Sequence, residues 1–152
     1  MHVLTGMALL SAATLLLQVA LTRIFSVTQF YHFAFLVVSL ALLGFGASGS
    51  LLALSSRLRS PRLGPWYAFG FSATSVLAYL FINHYSFDSY SIAWDPVQIS
   101  LLAANLIALT IPFIFAGMLI GALLSVATED AGHIYGANLF GSAAGAILAP
   151  LI

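Results

Sequence analysis

The chain has 152 residues, of which 62% are hydrophobic and only 5% charged, with a mean hydropathy of +1.09 and a formal net charge of zero. A soluble domain covers its surface with about 25% charged residues, so four arginines and four acids exclude a soluble enzyme and a disordered tail. Without lysine there is no basic surface to follow phosphates, which excludes nucleic acid as a partner, and without cysteine there are no disulfides and no thiolate chemistry or metal sites.

What remains is an all-α integral membrane protein whose first partner is the lipid bilayer. The gaps between charges set its architecture. Uncharged stretches of 33, 25 and 33 residues separate Arg23 from Arg57, Arg62 from Asp88, and Asp95 from Glu129. About 20 apolar residues cross the hydrocarbon layer as a helix. The apolar runs are continuous rather than alternating, which favours helices over barrel strands. We expect one domain over residues 1–152, a transporter-like bundle of about five transmembrane helices.

The first span is expected over residues 4–21. It lacks a basic n-region and is too long for the apolar part of a signal peptide. The stretch from Ile24 to His32 reads either as an interfacial or re-entrant piece or as an N-terminal extension of the second span. Gln18, Arg23, Tyr31 and His32 gather near the end of spans one and two. Polar groups in a membrane segment are functional candidates by default, and Asp88 or Asp95 is a candidate partner for Arg23. Because Arg23 flanks its span rather than interrupting it, snorkelling to the headgroups is the favoured reading.

The second span covers residues 33–54. Its Gly44, Gly46 and Gly49 form G-x-G-x-x-G, but no strand precedes them, so close helix packing is the better account than a nucleotide site. Arg57, Arg59 and Arg62 crowd the next turn. Positive residues in short loops stay on the cytoplasmic side, so we expect a multi-pass protein of the cell membrane with its N-terminus in the cytoplasm.

The third span is expected over residues 66–82, and the loop from Asn83 to Gln98 then faces outward. Trp66, Tyr67, Tyr85, Tyr90 and Trp94 are placed as an interfacial aromatic belt. The fourth span, residues 99–124, carries Asn105, a kinking Pro112, and the small residues Gly117, Gly121 and Ser125 spaced four apart. Glu129, Asp130 and His133 follow; the two acids suit the start of a helix. The fifth span, residues 134–152, repeats the small-residue spacing in Ala137, Gly141, Gly145 and Ala149. Such faces let helix backbones approach closely, and Asn138 can bond across a helix interface.

Two blocks resemble a known family. Leu15–Leu54, LLLQVALTRIFSVTQFYHFAFLVVSLALLGFGASGSLLAL, is similar to the start of the membrane domain of spermidine synthase-like membrane proteins. Ile134–Leu148, IYGANLFGSAAGAIL, is similar to that domain's later Tyr-x-Ala-Asp-Leu-x-Gly-Ala-x-x-Gly helix. The resemblance implies a helical membrane domain beside a soluble Rossmann-type domain resembling aminopropyltransferases. Gln18 stands where many relatives have an acid, and Asn138 where the pattern has Asp. Both departures remove negative charge that a cation or polyamine path would use. The soluble part is missing from this sequence.

No nucleophile–base set can be assembled, and no catalytic residue, cofactor or metal is expected of this chain. The expected role is a non-catalytic membrane domain that anchors, or passes a small polar molecule, beside a separate or missing catalytic domain. A homo-oligomer or that Rossmann-type domain would be its protein partner. The rival roles are a small transporter subunit and a structural accessory subunit of a membrane complex.

Overall fold

The computed structural model describes residues 2–28, 32–85, 91, 94–126 and 130–151. Five helices run in chain order: α1 His2–Thr28, α2 His32–Leu54, α3 Gly64–His84, α4 Pro96–Val126 and α5 Ala131–Leu148. Short 3-10 turns at Ser56–Arg59 and Pro61–Leu63 join α2 to α3, and another, Ala149–Leu151, follows α5. Among the described residues there is no strand. All five helices are long and apolar enough to cross a membrane.

Helix ends follow from local chemistry. Pro65 sits in the first turn of α3, where its missing N–H costs nothing. At α4, Pro96 is the first helical residue, and the Asp95 carboxylate accepts a 3.0 Å bond from the Val97 amide. Asp95 is therefore a helix cap, Arg23 bonds elsewhere, and Asp88, the other candidate partner of Arg23, lies outside the described residues. At the end of α2, Arg59 donates from Nε to the Leu52 carbonyl at 2.7 Å and from Nη2 to the Ala53 carbonyl at 3.2 Å. A cation on these free carbonyls both satisfies them and opposes the helix dipole.

The boundary of α1 differs from expectation. Ile24–Thr28 neither re-enters the membrane nor extends α2; it continues α1. No Gly or Pro breaks the helix there. Leu21 and Phe25 are buried against Val37, Leu40 and Ala41 of α2, which rewards the extra turn. Residues 29–31, including Tyr31, lie outside the described residues.

Glycine contacts fix the directions of the helices. Gly141 and Gly145 of α5 lie on Ala8 and Ala12 of α1, so these helices run parallel. Gly44, Gly117 and Gly121 place Phe113 against α2 and Ser48 and Leu52 against α4, so α2 and α4 are parallel too. Gly64 meets Leu119 and Gly70 meets Phe115, which makes α3 antiparallel to α4. The α1–α2 cluster joins the end of one to the start of the other. Each helix therefore reverses the direction of the one before, as five successive crossings require.

The most extensive seams are α1 with α5, α2 with α4 and α3 with α4. Helix α4 is the centre, with Phe113 and Ala116 wholly buried. Helix α1 leans on α2 and carries α5 on its far side. Helices α1 and α3 flank α4 without sharing a packed seam.

Candidate functional site

Polar groups inside an apolar bundle must find partners, because an unpaired group in hydrocarbon is costly. Most of the buried ones here do so within their own helix. The hydroxyls of Thr14 and Thr110 donate to the carbonyls four residues back at 2.8 Å, and Ser48 donates to Phe45 at 2.7 Å. The informative exceptions lie where two helices meet.

The first is on the α1–α5 seam. Ser11 Oγ, on a residue 1% exposed, lies 2.8 Å from the Met7 carbonyl and 2.6 Å from Asn138 Oδ1. One hydroxyl proton cannot serve both acceptors. Turning the Asn138 amide over lets its Nδ2 donate to Ser11 while the hydroxyl donates to Met7, which removes the conflict between the two acceptors. This pair sits on the same face as Ala8, Ala12, Gly141 and Gly145. A Cβ at Gly141 would come within 2.7 Å of the Ala8 carbonyl carbon, and one at Gly145 within 2.8 Å of that of Ala12.

The second lies farther along the same seam. Arg23 donates from Nη1 to the Ala149 carbonyl at 3.3 Å, just past the end of α5. This bond draws Arg23 towards α5. Gln18 is half-buried on α1. His32 begins α2, and Tyr31 falls outside the described residues. Asn138 stands well away from Arg23, since its partner Ser11 is about 18 Å down α1 at 1.5 Å per residue. Of the candidate polar residues, Arg23 and Asn138 thus lie on the α1–α5 seam about 18 Å apart and do not form one site.

The third is Asn105 in α4, 1% exposed. Its Nδ2 donates to the Leu101 carbonyl at 2.9 Å and to the Tyr85 carbonyl at 3.0 Å, which ties α4 to the end of α3. Its Oδ1 is buried without a partner among the described residues.

The remaining candidates resolve simply. Gly117 and Gly121 sit against Ser48, Phe45 and Leu52 of α2. Within the G-x-G-x-x-G run, only Gly44 packs, its Cβ position lying 2.6 Å from Phe113 Cβ. Gly46 and Gly49 have nothing within 4 Å, so close packing does not account for them. Tyr67 is not a belt residue. It is 6% exposed, and its hydroxyl donates to the Leu58 carbonyl at 2.9 Å. Trp66 and Trp94 are exposed, and Tyr90 lies outside the described residues. Asp130 precedes α5 with His133 Nδ1 3.7 Å away, both exposed, while Glu129 lies outside the described residues, among which no metal-binding group of three is found.

Two clefts open on the flank between α1 and α3, both floored by α4. One, of about 230 Å³, is lined by Leu17, Leu21, Ile24, Tyr79, Leu109 and Pro112 among others. The other, of about 540 Å³, lies nearer the arginine turn, between Gly6, Met7, Leu10, Pro61, Ala68 and Leu119. Both are overwhelmingly apolar. Comparison of the chain with protein-family models, characterised proteins and solved structures finds no match.

Proposed function

We propose that this chain is a non-catalytic membrane domain whose task is to anchor and hold a partner at the bilayer. One observation carries the reading: α1 and α5 meet backbone to backbone at Ala8–Gly141 and Ala12–Gly145, and the seam's interior polar pair, Ser11 with Asn138, is spent on itself. A bundle closed this way is built for rigidity. Its clefts are lined mainly by leucine, isoleucine, alanine and glycine, with His2, Ser72, Ser75 and Tyr79 as the few polar side chains, so they offer a polar solute few hydrogen bonds. The likeness of Leu15–Leu54 and Ile134–Leu148 to spermidine synthase-like membrane domains supports a soluble Rossmann-type domain as the partner.

The test has two arms. Proteoliposomes containing the chain should take up radiolabelled spermidine no faster than protein-free vesicles. The same vesicles should retain a soluble Rossmann-type aminopropyltransferase-like domain from the same source. Protein-dependent uptake would replace the anchor with the transporter-subunit reading. Failure to retain the domain, with no uptake, would leave the structural accessory subunit.

A further inference from the structure

We propose that the larger cleft between α1 and α3 binds an anionic glycerophospholipid, one acyl chain lying in the cleft and the phosphate held by Arg57 and Arg62. The cleft lies where α1 and α3 share no packed seam and α4 residues Leu119 and Leu123 form the floor between them. On α1 the facing residues Gly6, Leu10, Ala13, Leu17, Ala20 and Ile24 recur every three or four positions, so they form one continuous face. A furrow of this kind in a bilayer cannot stay empty, and its apolar walls suit a hydrocarbon chain.

Charge at one end selects the lipid. The larger cleft reaches Pro61, Gly64 and Pro65, so it opens beside the turn that carries all three of Arg57, Arg59 and Arg62. Arg59 is already committed to the Leu52 and Ala53 carbonyls. Among the described residues, Arg57 and Arg62 are exposed and their guanidinium groups have no partner. Asp130 and His133 share this end of the bundle but face each other on α5, beyond α1. Arg62 directly follows the cleft-lining Pro61 and Arg57 stands on the same turn, so two guanidinium groups near the mouth of an apolar slot suit a phosphate at the head of an acyl chain.

Two tryptophans at opposite ends of the bundle make this testable. Trp66 follows Pro65 at the arginine end, and Trp94 lies just before α4 at the other. In a Trp94→Phe background, Trp66, which directly follows the cleft-lining Pro65, reports lipid near the cleft mouth. Full-length protein is reconstituted in phosphatidylcholine vesicles containing a small fraction of chain-brominated phosphatidylglycerol or chain-brominated phosphatidylcholine. Quenching should show at least roughly fivefold preference for phosphatidylglycerol, the scale set by the attraction of an arginine at an anionic surface. Arg57→Gln with Arg62→Gln should abolish the preference. Gly6→Leu should also reduce it, because Gly6 lines the cleft and a Cβ added there starts in open space. Equal quenching by the two lipids overturns the proposal. Preference lost in the arginine variant but intact in Gly6→Leu also overturns it, since the charges alone would then suffice. Efficient disulfide cross-linking of two Ser72→Cys copies would place a second copy in the cleft and overturn it as well.

Discussion

Gly145 of α5 rests on the carbonyl of Ala12 in α1, and one turn earlier Gly141 does the same on Ala8. Parallel helices brought this close gain dispersion contacts along their backbones, which is the main attraction available between helices in lipid. The contact leaves no room for a methyl group. Nothing comparable protects Gly136 on the same helix or Gly46 on α2, where a Cβ would meet nothing within 4 Å.

These differences predict opposite outcomes for one kind of substitution. Gly145→Ala should destabilise the protein by about 1–3 kcal/mol through overpacking, and Gly145→Leu by more. Gly136→Ala and Gly46→Ala should be neutral or stabilising by up to about 1 kcal/mol, because Ala favours a helix over Gly. Thermal unfolding in one detergent, with all four variants side by side, decides it. Equal effects at Gly145 and Gly136 would remove the seam from the account.

The Ser11–Asn138 pair should behave as a coupled unit. Ser11→Ala leaves the Asn138 amide facing apolar walls, and Asn138→Ala leaves Ser11 its bond to Met7. A double-mutant cycle should therefore give a coupling of about 0.6–2 kcal/mol, the range for hydrogen bonds between membrane helices. Additive losses would mean the two side chains do not share a bond. Asn138→Asp is the sharper probe, because a carboxylate there would be half-buried on the seam beside a hydroxyl, at a position where the described residues form no ion pair. It should cost more than Asn138→Ala.

Much of this architecture was legible in the sequence and some of it was not, for reasons that can be named. The charge gaps located all five helices, because twenty uncharged apolar residues have few other uses. They misplaced the end of α1, since an arginine reads as a terminator. Arg23 is accommodated inside the helix because its side chain reaches the Ala149 carbonyl. Glycines spaced four apart marked close contacts on α4 and α5, yet the same reading applied to Gly46 and Gly49 fails. Spacing within one helix gives a face but not what lies opposite it, so nothing in the α5 pattern points to Ala8, Ser11 and Ala12. Tyr67 looked interfacial from its position at a helix start, and only the packing of the preceding turn buries it. Asp95 carries a readable signal of its own: an acid directly before a proline that opens a helix.

That signal yields a third prediction. Asp95→Ala removes the acceptor for the Val97 amide and should cost about 1 kcal/mol, while Asp95→Asn or Asp95→Ser should recover most of it. Helix stability in detergent, followed by circular dichroism on heating, would show this. If Asp95 instead served a distant cation, only a carboxylate would restore stability, and Asn and Ser would fail alike.

The orientation of the bundle is open to a direct measurement. With Arg57, Arg59 and Arg62 in one short turn, that turn should remain in the cytoplasm and the end of α3 should face outward. Cysteine at Ser60 should be shielded from an impermeant thiol reagent in intact cells, and cysteine at Asn83 should be labelled. The reverse pattern would invert the whole bundle. Labelling of both positions would contradict the alternation of direction seen at the glycine contacts.

The last prediction concerns Arg23 itself. Its guanidinium is exposed, and the one partner described for it is the Ala149 carbonyl at 3.3 Å. Ala149 follows the final turn of α5, where the last carbonyls lack partners from within the helix, and Pro150 comes next with no amide proton. A cation here does two things. It donates to a free carbonyl, and it opposes the partial negative charge at the helix end, together about 0.3–1 kcal/mol at an exposed position. Neither task needs the planar fork of arginine, since a single donor nitrogen is engaged. Arg23→Lys should therefore remain within about 0.5 kcal/mol of the original protein, whereas Arg23→Ala and Arg23→Gln should lose most of the stabilisation. The loss should shrink in high salt for any variant pair that differs in charge. A lysine variant as damaged as the alanine variant would mean that Arg23 grips something bidentately, and it would return this residue to the candidates for ligand binding.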